Sequence, residues 1–250
     1  MKRHVILWAT GPILFAHPLA MAEGFDVVVR EGYAPVSGYL QTPAGGNPGT
    51  TDKKRPTLKE LGVDDVTYSD IDFHYQIDPY TPYAGIRLLS TDSSGFLEED
   101  LTTQGQNFTK GEYFNHETSF NIYRFGVKRD FTYLKAKIEM AFMEFDYEFE
   151  TDGATAKRSY IKSTVRLGAE KSFKFDKFEI VVESSGSIPL SNTPDIYSVG
   201  AMAKYYFVTN INIGMGVQYY YLNYEDNQSV PNHLRLEMQP ALGLSLQCRF

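Results

Sequence analysis

Cysteine is almost absent from this chain: Cys248 is the only one in 250 residues. A lone thiol cannot close an intramolecular disulfide, so stability has to come from packing and hydrogen bonds. Tryptophan is equally scarce, with Trp8 alone near the start. No run of about 18 apolar residues follows Ala22, which excludes a membrane-crossing helix there. There is no HExxH pair, no cysteine metal cluster and no glycine loop that could cradle a phosphate, so no cofactor and no metal is expected. Basic charge is in deficit too. The formal net charge is -7, which argues against a nucleic-acid partner, because binding a polyanion needs a basic face.

The first 22 residues read as a secretory signal peptide. Lys2, Arg3 and His4 form a positive start, Val5 to Phe15 a short apolar stretch, and Ala20-Met21-Ala22 a small-x-small cleavage site. Gly11 and Pro12 break the stretch, which suits it poorly to spanning a bilayer. Glu23 stands where a lipoprotein would need cysteine, so no lipid anchor is expected. Without Lys2 and Arg3 the mature chain has 22 Lys and Arg against 31 Asp and Glu, a net -9.

What the chain has instead is alternation. A strand puts every second residue on one face, whereas a helix repeats near 3.6. Leu242, Leu244, Leu246, Cys248 and Phe250 alternate with Gly243, Ser245, Gln247 and Arg249. About ten segments read as strands in this way: 24–34, 66–77, 83–90, 118–128, 132–149, 158–170, 178–187, 196–207, 211–224 and 233–250. In 66–77, Ile71, Phe73, Tyr75 and Ile77 share one face, with Asp70, Asp72 and His74 on the other. In 132–149, Leu134, Ala136, Ile138, Met140 and Phe142 share a face. The apolar set then resumes out of phase at Phe145, Tyr147 and Phe149, a slip near Met143 that predicts a β-bulge.

The connections alternate in length. Residues 78–82, 129–130, 172–177 and 208–210 are short; 35–65, 91–117, 150–157, 188–195 and 225–232 are longer or more polar. In the first long connection, Thr57 and Glu60 are spaced as a capping box and Gly62 can stop a helix, so one or two helical turns are expected at 57–61, packed in or over a barrel mouth. No internal repeat or second domain is visible; residues 23–250 form one unit.

The alternating segment that ends on Phe250 resembles the closing strand and C-terminal assembly signal of bacterial outer-membrane β-barrels. The resemblance implies a transmembrane up-and-down antiparallel β-barrel of about ten strands, of a small porin-like class, in the outer membrane of a Gram-negative cell envelope. It implies outer-membrane lipid and lipopolysaccharide as surroundings, and the barrel-assembly machinery as a partner through the C-terminal strand and Phe250. It leaves oligomeric state open.

In a barrel the polar face lines the lumen. The candidate lining residues are Asp70, Asp72, His74, Arg124, Lys135, Lys137, Glu139, Arg166, Glu170, Glu179, Glu183, Lys204, Arg235 and Glu237. Ten strands enclose a narrow interior, so these charges either neutralise one another in a filled lumen or line a narrow solute pathway. His74 beside Asp72 is half of a hydrolytic arrangement, but no serine or cysteine nucleophile is tied to it by a motif, so no catalytic residue is assigned. His116 and His233 fall at loop–strand borders, where solvation is expected. The acidic run Glu98-Glu99-Asp100 lacks the spacing of a calcium loop. Lys53, Lys54 and Arg55 could meet lipopolysaccharide phosphates. Three functions remain: a narrow solute pathway, a structural or surface-binding barrel acting through its loops, and an outer-membrane hydrolase.

Overall fold

The computed structural model describes residues 24–41, 57–103, 106–226 and 233–250. The signal segment, Lys53-Lys54-Arg55 and most of the 225–232 connection lie outside the described residues. Among the described residues there are twelve strands: β1 (Phe25–Gln41), β2 (Asp65–Tyr75), β3 (Tyr80–Phe96), β4 (Leu101–Thr103), β5 (Gln106–Phe108), β6 (Tyr113–Asp130), β7 (Lys135–Thr151), β8 (Thr155–Phe175), β9 (Phe178–Ser187), β10 (Asp195–Val208), β11 (Ile211–Glu225) and β12 (His233–Arg249). Ten of them close into an antiparallel barrel in the order β1-β12-β11-β10-β9-β8-β7-β6-β3-β2. The other two, β4 and β5, make a small hairpin within the 91–117 connection.

Short turns gather at one end, here the turn end. The β8–β9 turn is only Asp176-Lys177, with Asp176 at φ 51°, a left-handed conformation that aspartate tolerates better than most residues. The opposite end, the loop end, carries the long connections, with one exception. Between β7 and β8 only 152–154 remain as a turn, closed by Thr151 N–H donating to Ala154 O at 2.9 Å. The polar residues at 150–157 belong mostly to the two strands, not to a loop.

Toward the turn end the outward face is apolar on every strand. Phe73, Ile86, Phe125, Ile138, Leu167, Ile180, Val199, Met215 and Leu244 all point out of the wall, and Met215 is 65% exposed. A continuous apolar belt of this kind has no place on a water-soluble protein and matches the lipid-facing band of a membrane barrel.

Toward the loop end the two faces exchange character. On β7 the outward residues become Glu144, Asp146, Glu148 and Glu150, while Met143, Phe145, Tyr147 and Phe149 point inward and are 0–3% exposed. The bulge expected near Met143 is not there. Pairing of β7 with both neighbours runs unbroken through that point. The apparent phase slip is instead the apolar set crossing from the lipid face to an interior core as the strand leaves the membrane.

The bulge lies in β12. Register shifts by one residue against both β1 and β11, between Met238 and Ala241–Leu242. Gln239 and Pro240 occupy the extra position, where a proline's missing N–H does least harm. Leu234, Leu236 and Met238 point inward above it, and Leu242, Leu244 and Leu246 outward below it. Thus β7 exchanges faces through its sequence and β12 through its backbone.

Residues 57–62 form a single turn rather than a helix. The capping box is made: Glu60 N–H donates to Thr57 Oγ1 at 3.1 Å, and Thr57 N–H to Glu60 Oε2 at 2.8 Å. Gly62 ends the turn at φ 73°, which favours glycine. Leu58 and Leu61 are 0% and 1% exposed in the interior cluster, so the turn caps the barrel mouth.

Candidate functional site

The lumen has three layers, each set by which side chains the strands aim inward. Nearest the loop end is an apolar core. Phe120, Phe145, Ile196, Leu222, Leu236 and Met238 fill it, with Leu58 and Leu61 above. The β4–β5 connection adds Leu97, Leu101 and Phe108, whose ring meets Phe149 at 4.8 Å.

Below it lies a belt of ion pairs. Arg87 donates from Nε and Nη2 to Asp70 at 2.8 and 2.6 Å and from Nη2 to Gln218 Oε1 at 2.7 Å. Its guanidinium lies between the rings of Tyr68 and Tyr220, 4.9 and 4.6 Å from their centroids. The Tyr68 ring itself lies over Gly32, where a Cβ would meet it at 2.3 Å; only glycine leaves that room. Asp72 accepts from Arg30 at 3.0 Å and Arg124 at 2.9 Å. Glu139 is held by Arg166 and Tyr83, and Arg166 also donates to Ser185 at 2.6 Å and Ser198 at 3.2 Å. The belt leaves a gap of about 30 Å³, room for a water or two.

The third layer is a vestibule of about 670 Å³ open at the turn end. Lys128 pairs with Glu170 at 2.8 Å, Lys204 donates to Gln247 at 3.2 Å, and Tyr206 donates to Glu179 at 2.5 Å. Arg249 clasps Asp26 at 2.7 and 2.9 Å across the rim.

The expected lining residues divide among these layers. Asp70, Asp72, Arg124, Glu139 and Arg166 form the belt, and Lys137 lines the gap beside it. His74, Glu170, Glu179, Glu183, Lys204 and Lys135 line the vestibule, with Lys135 paired to Asp130 at 3.3 Å. Arg235 and Glu237 are not in the lumen. The β12 bulge turns them outward, where they pair at 3.3 Å and Tyr219 donates to Glu237 at 2.9 Å. Phe250 continues β12, its N–H donating to Phe25 O at 2.8 Å. Arg30 and Arg87 were missing from the sequence-derived set, although Arg87 sits between Ile86 and Leu88 and Arg30 beside Val29. The same period-2 rule already placed both inward.

The histidines differ from expectation. Both carboxylates near His74 are occupied by arginines, and its ring rests on Tyr83 at 5.5 Å without a hydrogen bond. The histidine–carboxylate pair of a hydrolytic arrangement is therefore not made at His74. His116 is not solvated: it is 2% exposed within the apolar core, with Nε2 at 2.6 Å from Thr118 Oγ1 and Nδ1 at 3.2 Å from Ser93 Oγ. His116 stands above the lipid band, and burial pushes its pKa down to about 4. Among the described residues no group of three or more His, Cys, Asp or Glu side chains could hold a metal.

A lipid-facing belt around a closed ring of ten strands settles the class. The chain is a transmembrane β-barrel. No protein-family model and no curated relative matches the sequence. Solved structures similar to the chain are outer-membrane barrels. OmpT, the outer membrane protease of Escherichia coli, is 11% identical, with 92% of this chain and 100% of that chain covered and a TM-score of 0.44. Ail, the attachment invasion locus protein of Yersinia pestis, is 8% identical, with 90% and 99% covered and a TM-score of 0.41. Neisserial surface protein A is 10% identical, with 91% and 97% covered and a TM-score of 0.35. At such values no activity passes from one chain to another.

Among the described residues, the charges of the belt are paired with one another, and the apolar core lies between them and the loop end.

Proposed function

We propose that this chain is an integral protein of the bacterial outer membrane that acts at the cell surface and does not conduct solutes. In this reading the turn end is periplasmic and the loop end extracellular, the usual arrangement of such barrels. One observation carries it: the apolar core above the ion-pair belt, where Phe120, Phe145, Leu222 and Leu236 are 0–1% exposed. Ions crossing that layer would lose their hydration without compensation. The same core is what lets the strands stand above the membrane as a rigid platform.

Planar-bilayer recording on the purified full chain tests the reading. Insertion without steady single-channel current is expected. A large, stable conductance from the unmutated protein would overturn it and restore the solute pathway. Cell fractionation tests the location: the mature protein should sediment with outer membranes and migrate faster on gels unheated than boiled.

A further inference from the structure

Among the described residues, one edge in this wall is unpaired. β7 accompanies β8 along Thr155–Glu170, but β9 pairs with β8 only from Arg166 to Phe175. Ile188 N–H donates to Val165 O at 2.8 Å, and the chain then turns away into β10. From Thr155 to Thr164, β8 therefore has β7 on one side and, among the described residues, no strand on the other. Alternate peptide groups of an antiparallel strand point away from its partner, so this stretch presents a row of N–H and C=O groups to the gap. Such edges are normally short or interrupted by proline or a bulge. This one is ten residues long, has no proline, and keeps continuous register with β7.

Its side chains say what could pair with it. Lys157, Arg158 and Lys162 are the charged residues between Thr155 and Val165, with no Asp or Glu among them, in a chain that is acidic as a whole. Lys157 already meets Glu148 at 2.7 Å, whereas Arg158 Nε is buried without a hydrogen bond. Tyr160 and Lys162 lie on the Tyr224 ring at 5.5 and 5.3 Å and floor the gap. Ile161, within this stretch, is 64% exposed. A second copy of this edge would set like charges opposite one another, which is unfavourable.

We propose that the β8 edge from Thr155 to Thr164 is a docking site for an extended acidic peptide, which adds to the extracellular wall as a further strand. Main-chain hydrogen bonds supply the affinity, and carboxylates on the face shared by Arg158 and Lys162 supply the selectivity. The inference builds on the surface-acting reading and names its partner class.

The test uses the full chain in detergent micelles and a fluorescent eight-residue peptide alternating glutamate with valine and threonine. Controls are its lysine counterpart and a version N-methylated at alternate positions. Saturable anisotropy change is expected for the acidic peptide alone, with amide exchange in 155–164 slowed at least tenfold on binding. A Lys157→Gln, Arg158→Gln, Lys162→Gln triple variant, checked for normal heat-modifiable migration, should weaken binding at least tenfold. No binding, equal binding by the lysine or N-methylated peptide, unprotected amides at 155–164, or an unaffected triple variant would each overturn the proposal. So would dimers trapped through Ser159→Cys. These outcomes leave the conductance result untouched, and a conducting barrel would overturn the surface-acting reading without bearing on the peptide data.

Discussion

Arg87 and Asp70 form a two-point ion pair at 2.8 and 2.6 Å, both side chains almost wholly out of solvent, on the boundary between the belt and the apolar core. Removing one member of such a pair strands the other, which costs about 3–5 kcal/mol when nothing else compensates. Asp70 keeps Arg124 at 3.5 Å and Arg30 at 3.9 Å, so Arg87→Met should fall at the lower end, about 3 kcal/mol. Adding Asp70→Leu should recover part of the loss. Urea unfolding followed by gel mobility measures both; a double variant less stable than Arg87→Met would refute the pairing argument.

Arg166 makes the same point for the lumen as a barrier. Its truncation removes the hydrogen bonds to Glu139, Ser185 and Ser198. Arg166→Ala should lower stability while bilayer current stays absent, because the apolar core above is intact. Current appearing on this single change would show that the belt, not the core, closes the barrel.

The boundary of the lipid band on β7 falls between Phe142 and Glu144. An arginine facing lipid near the bilayer midplane costs about 2–4 kcal/mol, and one facing water costs little. Met140→Arg should therefore impair folding into lipid vesicles strongly, and Asp146→Arg only slightly. Similar yields for both would move the membrane surface.

The β12 bulge fixes which residues of that strand face lipid. Deleting Gln239 would force either Leu234, Leu236 and Met238 out of the core or Leu242, Leu244 and Leu246 out of the lipid. No heat-modifiable barrel should be recovered from that variant. Deleting Gly153 in the β7–β8 turn, where an added Cβ meets nothing within 4 Å, should leave the barrel folded.

His116 predicts an acid sensitivity. Its pKa is about 4 in the folded protein and near 6.5 in an unfolded chain. The unfolded state therefore takes up the proton first as pH falls. Stability from neutral His116 is complete above about pH 6.5 and is lost progressively down to about pH 4, by at most ~3 kcal/mol. Unfolding midpoints of the parent and of His116→Gln between pH 7 and 4.5 should converge as the pH drops; parallel curves would exclude this residue.

Strand count and the inward or outward direction of residues such as Phe73, Asp72 and Glu139 were legible in the sequence, because a period of two needs no tertiary information; closure followed from the resemblance of the terminal strand to those of outer-membrane barrels. Strand lengths were not. Beyond Glu31, Ser69 and Asn121 the outward face turns polar and the inward face apolar, so a pattern read as lipid-out stops there. Arg235 and Glu237 were misplaced for the matching reason: the bulge that turns them outward lies at Gln239-Pro240, and the even-numbered leucines run past it unchanged.

The exchange of faces also means that one chain folds in two solvents. The belt from Phe125 to Leu244 gives up water for hydrocarbon tails, which a detergent micelle supplies to the unfolded chain as well. The core around Phe120 and Phe145 gives up water for protein, and unfolding returns it to water. The positive heat-capacity change that accompanies exposure of apolar surface to water should therefore come mainly from the loop end, and be smaller than the chain length suggests. Cooling would then weaken the loop-end platform before it loosens the part held by lipid.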